Sequence, residues 1–199
     1  MRPLRSDEVP VHDDRDIILA EVARAQATIF TTGYLLKETG RAEFPAYAEI
    51  NVHAPALWPL VRDLCRALLP ERAALLIGTK DGELHSCPYR EKAALLAAIE
   101  PYGEALARDG FVPFGFIWQH EGVTDEVFVA PARYLKVWTT RQPLLETVLR
   151  EYRIPRVETM PFLDEYPRVT EITYHPPEMY TYRELLERVL AADAELAEA

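Results

Sequence analysis

Between Phe111 and Trp138 the chain alternates apolar and polar residues in three stretches. Phe114, Phe116 and Trp118 alternate with Gly115, Ile117 and Gln119, and Val123 to Val129 and Tyr134 to Trp138 carry the pattern on. Residues two apart in a strand share a face, so each stretch predicts a strand with one face turned to a core. His120-Glu121-Gly122 is turn material and Pro131 breaks the chain again, which makes the three an antiparallel meander over about 111–138. At least one of its faces is aromatic and must be covered. That need leads to helices packed on a sheet.

The rest of the pattern supplies both. Tyr47 to His53 reads as a half-buried strand with Ile50 and Val52 on one face and Glu49, Asn51 and His53 on the other. Pro55 and Pro59 open a helix through Leu57, Leu60, Val61, Leu64, Cys65 and Leu68, which Pro70 stops. Ala73 to Thr79 is an apolar run of interior-strand length, and Asp81-Gly82 predicts a hairpin that returns Glu83 to Cys87 antiparallel to it. Residues 90–108 predict a helix that Pro101 either kinks or divides, and Gln142 to Tyr152 predicts another.

Ile18, Val22, Ala25, Ile29, Gly33 and Leu36 recur at helical spacing, predicting a helix from the caps Asp13 and Asp14 to near Gly40. The β-branched run Thr28 to Thr32 would also suit extended chain. Pro155 to Pro167 is irregular, Val169 to Tyr174 reads as a last short strand, and Tyr182 to Ala197 as a last helix. The expectation is an α+β fold: a mixed, mostly antiparallel sheet with helices packed on it. Residues 1–12 are expected to form a disordered lead-in and 13–199 a single domain.

A charge of −10 repels nucleic acid and suits either plain solubility or a basic protein partner. Cys65 and Cys87 read as two separate thiols. The first residues lack an apolar leader segment and no run approaches a membrane span, so neither secretion nor membrane insertion is expected and the cytoplasm is the expected compartment. The pattern specifies no oligomeric state.

Chemistry-bearing motifs are sparse. The segment Ile77 to Gly82 lacks the spacing of a phosphate cradle, and there is no G-x-S-x-G. His12, His53, His85, His120 and His175 form no metal motif; His85 and Cys87 would share a strand face, but two ligands do not make a site. No metal or cofactor is expected. Glu49 and His53 on one strand face are the candidates for acid–base catalysis.

Asp125-Glu126 and Asp164-Glu165 diverge in extended chain, which argues against a catalytic dyad. With Tyr166 and the nearby aromatics they suit the charged rim of a protein contact instead. The leading expectation is therefore a non-catalytic domain that binds a basic protein through an acidic surface. Its concrete form is a bacterial immunity or antitoxin-type protein. The alternative is a small cytosolic enzyme using the His53–Glu49 pair.

Overall fold

The computed structural model describes residues 2–11, 14–79, 82–170 and 187. Strand β1 (Arg2–Pro3) precedes helix α1 (Arg15–Ala27), which ends well short of Gly40. Thr28 is extended, and after the β-branched run the chain enters strand β2 (Gly33–Glu38) instead of continuing the helix. Crowded Cβ atoms disfavour further helical turns there, and pairing with strand β3 (Ala46–Asn51) settles the choice. The expected strand through His53 also stops early: Val52 and His53 lead into helix α2 (Ala54–Leu68), whose first turn holds Pro55. The Lys92 ammonium donates to Arg66 O at 3.0 Å and Leu69 O at 2.6 Å, closing the end of α2.

Strands β4 (Arg72–Gly78) and β5 (Leu84–Ser86) form the expected antiparallel pair. After β6 (Arg90–Glu91), Pro101 divides the next helical stretch into α3 (Lys92–Ile99) and α4 (Gly103–Arg108), joined by a short 3-10 turn. The meander follows as β7 (Phe114–His120), β8 (Val123–Val129) and β9 (Leu135–Thr139). Its first turn holds Glu121 at φ 48° and Gly122 at φ 77°, the doubly left-handed turn that matches strand twist. Helix α5 (Gln142–Glu151) and strand β10 (Arg168–Val169) complete the described elements.

The sheet runs β2-β3-β9-β8-β7-β4-β5, with β6 also on β4, and each of these pairs is antiparallel. A single parallel bridge joins Tyr34 to Arg156 among the described residues. The fold is α+β. In place of a disordered lead-in, Arg2–Pro3 pair with Arg168–Val169, and the Arg2 guanidinium grips the Glu8 carboxylate at 2.7 and 2.5 Å. His12, the cap Asp13, Asp81, His175, most of the 169–174 strand and the 182–197 helix apart from Glu187 lie outside the described residues, whereas Asp14 is the residue before α1.

Alternation divides the sheet into two faces. One turns Ile50, Leu75, Ile77, Phe114, Phe116, Val127, Val129, Leu135 and Val137 into a core with α2, α3, α4 and α5. Gly103 lets α4 approach the Trp58 ring so closely that an added Cβ would lie 2.2 Å from Cε2. The opposite face meets the irregular segment after α5, where Tyr134, Met160 and Phe162 form a second cluster with Leu35, Phe128, Val157 and Leu163.

Candidate functional site

The face away from the helices carries side chains in transverse rows fixed by strand register. One row runs Lys37, Tyr47, Trp138, Glu126, Ile117 and Ala74 across β2, β3, β9, β8, β7 and β4. The next runs Leu35, Glu49, Lys136, Phe128, Gly115 and Leu76 over the same strands. Directly opposed residues have Cβ atoms about 5 Å apart, so each row is a line of neighbours. The Phe128 ring lies over Gly115, where a Cβ would come within 2.8 Å of Cδ2.

Most of the charge on this face is engaged. Tyr47 donates its hydroxyl to Glu49 at 2.9 Å, and Lys37 Nζ reaches the same carboxylate at 3.3 Å. Tyr134 donates to Asp164 Oδ2 at 3.0 Å, while Lys136 Nζ sits 5.4 Å from the Tyr134 ring centre. Burial first, and then the neighbouring carboxylates, hold both phenols well above their ordinary pKa. The Tyr47 and Trp138 rings lie 5.1 Å apart, forming an aromatic platform beside Glu126.

Glu126 differs from its neighbours. It is half-buried, no described residue donates to it, and burial alone pushes its carboxyl up to about 7. In register it stands between Trp138 and Ile117. A desolvated carboxylate beside an aromatic plane is chemically suited to a guanidinium, which can stack on the ring and fork onto both oxygens.

The expected contact residues thus divide. Glu126 and Asp164 lie on this face with Glu49, and Glu165 is exposed beside Asp164 in the 3-10 turn Leu163–Glu165. Asp125 does not belong with them. It is 1% exposed on the helix side, where Oδ1 accepts from Thr139 Oγ1 at 2.7 Å and Thr140 N–H at 2.8 Å. Its carboxylate secures the turn that starts α5. Tyr166 is also buried, its ring edge-on to Phe30 at 5.7 Å with the Arg24 guanidinium 4.6 Å from its centre.

The catalytic candidates are not brought together. His53 is exposed at the start of α2 and makes no hydrogen bond to Glu49, whose partners are Tyr47 and Lys37. His85 lies on exposed β5, whereas Cys87 is buried with Sγ accepting from Leu75 N–H at 3.0 Å. Among the described residues no group of three or more His, Cys, Asp or Glu side chains is placed to hold a metal, and no helix is long and apolar enough to cross a membrane. Tyr47 and Lys136 are not among the expected site residues, whereas Tyr134 and Trp138 belong to the aromatic cluster expected beside the acidic rim. Their alternation is visible in the sequence; their assembly across β3 and β9 depends on pairing between distant segments.

No protein-family model, curated protein or solved structure matches the chain.

Proposed function

We propose that the protein is a non-catalytic binding domain that meets a basic protein partner on the sheet face opposite its helices. An immunity or antitoxin-type role is the concrete form of this reading. The supporting observation is Glu126, a half-buried carboxylate without a donor among the described residues, standing in register beside Trp138. An arginine from a partner would supply the missing donors and a flat cation for the ring, while Asp164 and Glu165 add a negative rim.

The test is partner retention from a lysate of the source cells, by wild type and by Glu126→Gln, at about 0.1 M and about 0.5 M salt. A basic partner held by wild type at low salt, released at high salt and poorly held by the variant is the expected result. Partners retained equally by both proteins and indifferent to salt would overturn the reading. A carboxyl that titrates near 7 also suits general acid–base work, with Glu126 taking the place of His53 and Glu49. Turnover of a small substrate, lost in Glu126→Gln and unaccompanied by partner retention, would select that second reading.

A further inference from the structure

Among the described residues strand β2 ends the sheet, and they occupy only part of its outer edge. Tyr34 donates its N–H to Pro155 O at 3.0 Å and accepts from Val157 N–H at 3.0 Å, completing one parallel rung around Arg156. Backbone groups alternate sides along a strand paired on one edge. Thr39 donates to Pro45 O in the continuation of the β2–β3 ladder, so Leu35, Lys37 and Thr39 turn their backbone groups towards β3. Leu36 and Glu38 therefore direct N–H and C=O outward, as Tyr34 does, and no described residue bonds to them.

The chain leaves this edge after Val157. Glu158 and Thr159 are exposed, and Met160 is buried in the second cluster. Between the diverging segments lies a groove of about 570 Å³ lined by Leu35, Leu36, Lys37, Arg156, Val157 and Glu158. Edge strands are commonly blocked by proline or by an outward lysine. β2 contains no proline, and Lys37 is turned onto Glu49.

We propose that this groove receives an extended polypeptide segment of a partner, which adds to β2 at Leu36 and Glu38 as Pro155–Val157 does at Tyr34. The occupant is identified by its backbone: donor and acceptor groups repeating roughly every 7 Å, the two-residue spacing of a strand. Leu35 and Val157, both packed on the second cluster, give one apolar wall, so a small apolar side chain fits beside them. The charged tips of Lys37, Arg156 and Glu158 rim it. This site depends on backbone pairing and not on Glu126, so the two binding proposals stand or fall separately.

The test uses the full, ¹⁵N-labelled chain titrated with a blocked pentapeptide of alternating threonine and valine, and with its fully N-methylated counterpart. The expected result is amide shifts at Leu36, Lys37, Glu38 and residues 156–158, with exchange at Leu36 and Glu38 slowed about tenfold or more near saturation. The N-methylated peptide should produce neither, and Glu126→Gln should leave both unchanged. Absence of shifts at millimolar peptide, or equal shifts with both peptides, would overturn the proposal. So would a dimeric free protein with Leu36 and Glu38 already protected, which would assign the edge to a second copy.

Discussion

The two faces of the sheet come from the same strands, yet they treat a carboxylate in opposite ways. Asp125 and Glu126 are adjacent in β8 and alternation sends them to opposite sides. On the helix side Asp125 is almost fully buried and saturated by Thr139, Thr140 and the start of α5. On the other side Glu126 is less buried and has no donor among the described residues, so its charge is the more costly of the two. Burial alone therefore does not mark a functional carboxylate. The contrast lies in whether the fold supplies the hydrogen bonds, and it does so only for Asp125.

The sharpest way to break this contrast is a pair of alanine substitutions. Asp125→Ala strands buried hydroxyl and N–H donors and should lower stability by about 3 kcal/mol, whereas Glu126→Ala at pH 8 should change it by less than about 1 kcal/mol. Denaturant midpoints that move equally would refute the distinction. A somewhat smaller effect tests the packing of the helix side. Gly103→Ala places a methyl group inside contact distance of the Trp58 indole and should cost about 2 kcal/mol, read as a fall in Tm.

The smallest effect concerns pH. Because the folded Glu126 carboxyl sits near 7, above its ordinary value of 4.5, the folded state binds the extra proton and stability falls as pH rises from about 4.5 through 7. Glu126→Gln removes that loss. The variant should match wild type on this account near pH 4 and exceed it by about 1 to 2 kcal/mol near pH 8, allowing for solvent screening of a half-exposed group. Parallel stability–pH curves would show that the carboxyl is not desolvated after all.

Much of the fold was legible because it is written locally. Alternation and turn chemistry set out the meander, Pro55 opened α2 while Pro59 fell inside it, and Pro101 divided α3 from α4. β2 was hidden because Ile29, Gly33 and Leu36 happen to fall at helical spacing, and only pairing with β3 makes Gly33–Glu38 a strand. His53 leaves the strand because helix α2 starts directly after it at Ala54, with Pro55 in its first turn. Part of the site was readable: Asp125 shares parity with Val127 and Val129, so the pattern that turns those valines inward turns Asp125 inward too. The meeting of Tyr47 with Trp138 left no local trace, since it depends on a register between strands far apart in the chain.

The order of strands also implies an order of assembly. β7, β8 and β9 join through short turns, so their contacts form with little loss of chain entropy. By contrast, the seam between β3 and β9 pairs Ala46 with Thr139 and must close the whole intervening loop. Folding should therefore grow outward from the meander, with the β2–β3 hairpin docking as a late unit. Until that hairpin arrives, the outer edge of β9 is itself unpaired, and the nascent sheet offers that edge, with Trp138 on it, to other chains.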